Sequence, residues 1–549
     1  MAGGDEVGFR NRMRARWASR PAARRAAVVV AVEAAASVGF YRLDHSLGYG
    51  AAVVFTILWM RKVPALPWRL GLQCAFLTLF ALGSAFGSAS LSIVIIFGLA
   101  FALSWIPHHT KLRVPLGGGG RRSLPITRSW ALPVAALLIA VSYPFYATRL
   151  FTIPIFGAFP DVGTGVVIVV FVMMAVGLNI VVGYAGLLDL GYVAFYATGA
   201  YTAAWLASAQ FAGQKCPTPG VSIADCTVAA VPRHSFSLGG IGVPMGTGGF
   251  HVSIFLVLLI AGLITAAFGI VIGLPTLRLR GDYLAIVTLG FGEILPQVAR
   301  NGDNLGGFNL TNGPNGITPL DSPGFGNHLS NLTSGVLPSN YLTCCKTSLF
   351  GHHIGSADIF FWTALVLLVF TVFCSLRLRE SRLGRAWVAI REDETAAAAM
   401  GIPLMRTKTW AYASGAFFGG IAGAYYASFK SATFPGDFFF NISVFILCMV
   451  ILGGMGNIWG VIVGAAFLEY LDREGLANTG DWINRHIHVG GWHPNLDVPL
   501  YSSGIYGVII VAVMLFRPEG LLPSKRRAAE LHDVEPHDKP LYDLQHEGA

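Results

Sequence analysis

Long apolar runs separated by short polar and basic segments dominate the pattern along this 549-residue chain. A helix that crosses a bilayer needs about 20 mostly apolar residues, or fewer where flanking side chains reach the interface. Thirteen segments meet this criterion: 26–41, 47–60, 70–86, 88–105, 131–150, 163–183, 190–209, 251–274, 283–300, 359–376, 409–429, 442–468 and 501–516. The pattern predicts an all-α polytopic integral membrane protein with roughly 11–13 transmembrane or re-entrant helices.

Composition agrees with this fold class and excludes others. Hydrophobic residues make up 54% of the chain and charged residues 12%, about half the charged share of a soluble domain. The net charge of +9 does not indicate nucleic-acid binding, because the basic residues lie in short loops. The seven cysteines show no metal-binding spacing, so neither a metal nor a cofactor is predicted. Cys216 and Cys226 share one polar loop, where a disulfide and two free thiols are both open.

The basic loops set the predicted orientation, because lysine and arginine accumulate on the cytoplasmic side. Alternating spans place every basic loop inside as far as residue 429, and seven arginines in 1–25 precede the first span. Beyond residue 429 the basic segments stay on the cytoplasmic side only if 442–468 does not cross the membrane once. It would instead be a re-entrant segment or a broken pair of half-helices, interrupted at 453–456. Both termini are then cytoplasmic.

Glycine interrupts two apolar runs in a similar way, at 183–186 and at 453–456. Such pairs are typical of inverted repeats around a central pathway, since irregular backbone at membrane depth must be covered by protein or line a cavity. Close helix packing and chance clustering among 66 glycines are the alternatives. The resulting pathway candidates are Gly183, Gly186, Gly453, Gly454 and Gly456.

The segment 377–408, RLRESRLGRAWVAIREDETAAAAMGIPLMRTK, is polar and basic between two apolar runs. Acidic residues before an alanine run favour a helix, and Gly401 followed by Pro403 is a stop signal. A short helix from Glu392 to Met400, outside the bilayer, is therefore predicted.

The spacing of Glu394, Ala396, Ala397 and Gly401 resembles the EAA loop of ABC importer permeases, whose short cytoplasmic helix docks into a groove on the ATPase. An ordinary solvated helix is the alternative. Docking by apolar side chains is expected to outweigh ion pairs from Arg385 and Arg391, since exposed pairs contribute about 0–1 kcal/mol. The candidate coupling residues are Glu392, Glu394, Ala396, Ala397, Met400, Gly401 and Ile402.

Longer strings resemble the branched-chain amino acid ABC transporter permeases of the LivM type. They are GLNIVVGYAGLLDLGYVAFYATGAY at 177–201, LPTLRLRGDYLAIVTLGFGE at 274–293, the loop 384–402 and VILGGMGNIWGVIVG at 450–464. The match runs in order through 163–523, roughly two thirds of the chain. It implies a multi-pass permease subunit in the bacterial inner membrane that imports branched-chain amino acids by alternating access.

The resemblance also implies partners and a division of the chain. The partners are two cytoplasmic ABC ATPases, a second related permease, a periplasmic substrate-binding protein and the lipid bilayer. The chain lacks a phosphate-binding G-x-x-x-x-G-K-[ST] loop, so ATP hydrolysis is assigned to the separate subunits. The predicted regions are a basic cytoplasmic segment 1–25, additional N-terminal spans 26–130, a permease core 131–523 and a polar tail 524–549.

Ionisable and polar residues near the spans are candidates for the pathway. For Asp189 and Glu293, contact with the substrate's amino group and a structural role, such as a helix cap or a pairing with Arg278 or Arg280, are equally open. Asn179 is predicted to form an interhelical hydrogen bond. A urea or short-chain amide importer is the first alternative function. An ion-gradient-driven amino acid transporter, with these acids as ion sites, is the second.

Overall fold

The computed structural model describes residues 160–211, 249–278, 282–305, 309–324, 352–486, 497–516 and 520–522, with short stretches elsewhere. The chain divides into two compact units, Met1–Asp161 and Val162–Ala549. In the first unit the described elements are β1 (Leu112–Pro115), β2 (Arg121–Leu124), α1 (Tyr143–Tyr146), β3 (Thr152–Ile153) and β4 (Gly157–Ala158). The predicted spans 26–41 to 88–105 and the loop cysteines Cys216 and Cys226 lie outside the described residues.

The second unit is mostly helical. Its helices within the described residues are α2 (Val162–Asn179), α3 (Tyr192–Leu206), α4 (Ile254–Thr276), α5 (Asp282–Arg300), α6 (Ser356–Glu380), α7 (Arg382–Glu392), α8 (Glu394–Ala399), α9 (Leu404–Lys430), α10 (Phe440–Gly453), α11 (Ile458–Tyr470), α12 (Leu476–His486) and α13 (Ser502–Phe516). The same residues contain two π-helical turns, Ile180–Tyr184 at the end of α2 and Leu471–Gly475 between α11 and α12.

Short strands lie in the long connections of this unit, so the all-α prediction is wrong in this detail. Strand β7 (Gly249–Val252) pairs antiparallel with β5 (Ala207–Ser208) and parallel with β6 (Ser235–Leu238). A second pair joins β8 (Ser348–Leu349) to β9 (His352–His353). Backbone pairing of this kind satisfies N–H and C=O groups that a connection outside a helix would otherwise leave unpaired.

Five helices in the described part of the chain are long and apolar enough to cross a membrane: Val162–Tyr184, Ile254–Thr276, Ser356–Glu380, Pro435–Gly453 and Val498–Leu515. Helix α3, with 15 residues, falls short of the length that a membrane crossing requires. The segment 283–300, despite its internal Pro296, lies within one continuous helix, α5. The total of 11–13 membrane helices and the inverted repeat stay predictions.

The break predicted within 442–468 is confirmed. Helix α10 ends at Gly453, Gly454 and Gly456 have φ of +108° and +85°, and α11 begins at Ile458. Close packing contributes as well, because a Cβ atom on Gly464 would lie 2.6 Å from the Cα atom of Gly453. Helices α10 and α11 therefore form a hairpin whose turn is built from glycine.

Helix α9 lies at the centre of the unit and packs against α2, α3 and α4. Glycine makes this close approach possible: a Cβ atom on Gly199 would lie 2.1 Å from the Gly420 carbonyl oxygen, and one on Gly423 would lie 2.0 Å from that of Tyr196. Small residues at helix interfaces are the usual means of packing in membranes, where lipid offers no hydrophobic driving force for helix association.

The end of the bundle where α9 finishes is held by a compact polar cluster. His251 Nδ1 lies 2.8 Å from Asp321 Oδ2, the Asp321 N–H donates to the Ala207 carbonyl at 2.8 Å, and the Ser428 hydroxyl donates to the Asp321 carbonyl at 2.8 Å. Burial raises the pKa of Asp321, and the hydrogen bond to His251 opposes that rise. This cluster fixes the far ends of α3 and α9, so the glycine breaks and the polar loop lie at the opposite end.

Candidate functional site

The polar loop between the long helices α6 and α9 is a rigid structure of two short helices. The flanking helices extend beyond the predicted limits of 376 and 409, so the loop covers only 381–403. Ser381 caps α7 by accepting a hydrogen bond from the Gly384 N–H at 3.1 Å. A Cβ atom at Gly384 would lie 2.3 Å from the carbonyl oxygens of Leu378 and Arg379, so only glycine fits this turn.

The predicted helix Glu392–Met400 is in fact shorter. The helix is interrupted at Asp393, whose backbone is extended at φ −152° and ψ 112°. Glu392 belongs to the preceding helix α7. The Asp393 carboxylate accepts hydrogen bonds from the N–H groups of Thr395 at 2.8 Å and Ala396 at 3.0 Å. Aspartate is favoured at such a cap over a helix interior, and this preference explains the correction.

The cap depends on a charged carboxylate. Hydrogen bonds from the Thr395 side chain and from the Ala396 and Thr395 backbone hold the pKa of Asp393 below its ordinary value. A lowered pKa means that the stabilisation is present above the ordinary aspartate pKa and is lost as pH falls through the lowered value. At the other end of α8, Gly401 has φ of +83° and the Ile402 N–H donates to the Ala397 carbonyl at 3.1 Å. The predicted stop signal at Gly401 is therefore confirmed.

Helix α8 presents part of its surface to the outside. The Met400 side chain is 84% exposed, Glu392, Ala396 and Gly401 are exposed, and Ile402 is half-buried. Ala397, in contrast, is 4% exposed, so its side chain supports α8 from within the chain and offers no exposed contact.

Two contacts fasten the loop to α9. The indole N–H of Trp387, a fully buried side chain, donates to the Thr407 carbonyl at 2.8 Å. The Lys408 ammonium lies 2.7 Å from a carboxylate oxygen of Glu394, with the lysine side chain 5% exposed. Glu394 therefore pairs with its own chain. The sequence analysis missed both Trp387 and Lys408, because neither follows a helical spacing relative to its partner.

Arg391 connects the loop to both glycine breaks. Its Nη1 atom donates to the Gly183 carbonyl at 2.6 Å and would lie 3.3 Å from a Cβ atom at Gly456. The Gly456 N–H donates to the Asn179 side-chain oxygen at 2.9 Å, which confirms the predicted interhelical hydrogen bond of Asn179. We call Asn179, Gly183, Gly186, Arg391 and Gly456 the glycine junction.

The two loop arginines differ in their contacts. Arg391 donates to the Gly183 carbonyl within the glycine junction. Arg385 donates to the exposed Glu380 carbonyl at 2.8 Å. In this structure Arg391 donates within its own chain, and the ion pairs with an ATPase that were expected from Arg385 and Arg391 stay a prediction. A helix C-terminus such as the one at Gly183 carries unsatisfied carbonyls and attracts cations, and this explains the inward direction.

The two candidate acids lie in different surroundings. Asp189 is 1% exposed, and its Oδ1 atom accepts from the N–H of Gly191, the residue that caps α3, at 2.9 Å. No partner for its Oδ2 atom, and no pairing with Arg278, is found among the described residues; Arg280 lies outside them. Glu293 is exposed in an open groove of about 460 Å³ on α5, which it lines with Ile294, Gln297, Val298, Asn301 and Leu305.

Comparison with known proteins assigns the chain to a class. Residues 162–514 match the family model described as "Branched-chain amino acid transport system / permease component". The LivM high-affinity branched-chain amino acid transport system permease proteins of Salmonella typhimurium and Escherichia coli are each 34% identical over 402 residues, covering 72% of this chain and 76% of each relative. A probable LivM permease of Methanocaldococcus jannaschii is 24% identical over 278 residues, 49% of this chain and 69% of the relative. No solved structure matches the chain.

The chain belongs to the family of permease components of branched-chain amino acid transport systems. It is a multi-pass membrane protein and a transport subunit, which confirms the resemblance noted in the sequence. The matched region 162–514 lies within the second compact unit and within the predicted core 131–523. The boundaries of that core, and the roles of its coupling and pathway residues, stay predictions.

Exchanging the charges of Glu394 and Lys408 tests whether their ion pair holds α8 in place. The single change Glu394→Lys sets two cations together and leaves the buried Lys408 unpaired, which is destabilising although the Glu394 side chain is 30% exposed. We expect substrate uptake by cells to fall by tenfold or more, a factor that corresponds to about 1.4 kcal/mol. The double change Glu394→Lys, Lys408→Glu restores the attraction and should recover uptake at equal membrane abundance. Equal loss in both variants would contradict the assignment.

Proposed function

We propose that this chain is the membrane permease subunit of an ATP-driven importer of branched-chain amino acids. Alternating access would be coupled to ATP hydrolysis in separate ABC ATPase subunits. The family and the relatives' names support the substrate class. The observation that supports the coupling is the geometry of α8, a capped helix with an exposed face that is fixed to the start of α9.

Helix α8 is the proposed docking element for the ATPase. Its exposed surface comprises the Met400 side chain at 84% exposure together with Ala396 and Gly401. An apolar anchor beside small residues fits a groove on a partner, and buried apolar contacts carry more binding energy than exposed ion pairs. Since Trp387 fixes α7 to α9 and the Lys408–Glu394 pair fixes α8 to α9, movement of the docked helix would reach the membrane bundle directly.

The exposed face of α5 is the proposed contact with the second permease subunit. Glu293, Gln297 and Asn301 follow at intervals of four residues and so form a polar stripe along one side of the helix. Exposing such a polar stripe to lipid carries a considerable free-energy cost. The second half of α13 exposes apolar side chains, with Val508, Val511 and Leu515 67–75% exposed, and suits lipid. A pathway between two permeases, lined by Glu293, accounts for this difference.

The glycine junction and Asp189 are proposed to shape the cytoplasmic end of that pathway. One oxygen of Asp189 stabilises the start of α3 at Gly191, and the other has no hydrogen-bond partner among the described residues. Burying a carboxylate in a membrane protein is costly, and such a residue is a functional candidate by default. The role proposed for Asp189 is contact with the substrate's amino group during passage.

The proposed setting is the bacterial inner membrane, with both termini and α8 on the cytoplasmic side. The basic residues of 377–408 support this orientation. A periplasmic substrate-binding protein would then meet the opposite end of the bundle, where β5, β7 and the described residues 309–324 lie. That protein would select among leucine, isoleucine and valine.

Uptake of labelled leucine and of labelled urea, in cells with and without the chain, tests the proposed function. Each measurement is repeated after ATP is depleted while the ion gradients are held. We expect leucine uptake that requires both the chain and ATP. Urea uptake with the same requirements would replace the substrate, and leucine uptake insensitive to ATP would contradict ATPase coupling and favour a gradient-driven carrier.

A photo-crosslinking benzophenone amino acid at Gln297 tests the α5 contact, with the same group at Val511 on α13 as the matched control. Irradiation of membranes with the co-expressed partner permease should give a joint product of the two subunits from position 297 and none from position 511. Crosslinking from position 511 alone would assign the contact to the other face.

A further inference from the structure

Three segments that are distant in sequence meet at the glycine junction. Arg391 comes from the last turn of α7, two residues before the cap of α8. Gly183 lies in the π-helical turn that ends α2, and Gly456 lies in the turn between α10 and α11. The junction therefore joins the docking segment to both interruptions of the membrane helices.

The contacts leave little room for independent movement of these segments. Arg391 Nη1 lies 2.6 Å from the Gly183 carbonyl oxygen, and Gly456 N–H lies 2.9 Å from the Asn179 side-chain oxygen. At Gly186, with φ of +70°, a Cβ atom would lie 2.7 Å from Arg391 Cγ. The arginine side chain thus packs against backbone that only glycine permits.

The chemistry at this point favours arginine. The carbonyl oxygens at the end of a helix lack intrahelical partners and carry the negative end of its dipole. A guanidinium is always charged, planar and has five donors, so it fixes an orientation that a flexible ammonium does not. π-helical turns such as 180–184 are often found at functional sites, where they allow a helix to change its local register.

We propose that Arg391 is a positioning residue that transmits movement of α8 to the π-helical turn of α2 and to the α10–α11 turn. This inference rests on the proposed function, in which α8 docks on the ATPase. When the ATPases draw α8 aside, Arg391 moves with it and displaces the Gly183 carbonyl and the backbone beside Gly456 together. Loss of Arg391 would leave α8 docked while the two glycine breaks no longer follow it.

Transport per ATP hydrolysed tests this role in the assembled transporter, reconstituted in vesicles with all its subunits. For Arg391→Ala we expect ATP hydrolysis to continue and leucine uptake per ATP to fall about tenfold, as for loss of one hydrogen bond from a charged donor. Arg391→Lys retains one charged donor and should recover part of the ratio. The matched control Arg485→Ala removes the same charge from an exposed ion pair with Asp481 on α12, outside the docking segment, and should leave the ratio unchanged.

Backbone hydrogen exchange provides a readout that does not depend on transport. In Arg391→Ala, exchange should accelerate at 183–187 and at 454–457, and in Arg485→Ala it should not. Unchanged exchange at both glycine segments, or equal uncoupling by the two alanine variants, would overturn the inference. If wild-type vesicles transport nothing with ATP, the proposed function fails, and the exchange comparison still decides whether Arg391 holds the two breaks. Arg391→Lys keeps the comparison informative if the alanine variant does not assemble.

Discussion

A polar backbone group at an interruption in a membrane helix needs a hydrogen-bond partner from the protein, because lipid provides none. The glycine junction provides partners for two such groups. The Gly183 carbonyl accepts a hydrogen bond from the guanidinium of Arg391, and the Gly456 N–H donates one to the side-chain oxygen of Asn179. Because one of these partners comes from the loop outside the apolar helices, the requirement links that loop to the centre of the bundle.

The rest of the site depends on this link. In the proposed coupling, helix α8 would transmit movement only if it is held at both ends. Asp393 caps its start, Gly401 ends it, and the Lys408–Glu394 pair binds it to α9. Helix α9 in turn packs against α2, α3 and α4 through glycine contacts that leave no space for a side chain. A displacement of α8 therefore has two routes into the bundle, through α9 and through Arg391.

Local signals in the sequence predicted the features that need no knowledge of neighbours. The alanine run, its acidic start and the Gly-Ile-Pro stop predicted a short helix, and glycine clusters predicted the break in 442–468. The limits of α8 were misjudged by two residues at Glu392, because a capping aspartate and a helical glutamate look alike in a run of acidic residues. The resemblance to a permease family was confirmed by the comparisons.

Contacts between distant segments could not be predicted. Arg391 and Gly183 are 208 positions apart, and no periodicity relates them. The sequence also does not show which side of α8 faces inward: Ala397 is buried and Met400 is exposed, although both are apolar. Which face of a helix is covered depends on the neighbour that covers it, and a single sequence does not state that neighbour.

The distance between spin labels at Arg382 on α7 and Trp459 on α11 tests most directly whether the docking segment and the α10–α11 turn move as one body. The measurement uses the assembled transporter in a background without the seven native cysteines, free of nucleotide and with ATP bound. A second label pair across the ATPases reports their closure. The account predicts closure of the ATPases with an unchanged distance between Arg382 and Trp459. A distance that changes as the ATPases close would contradict it.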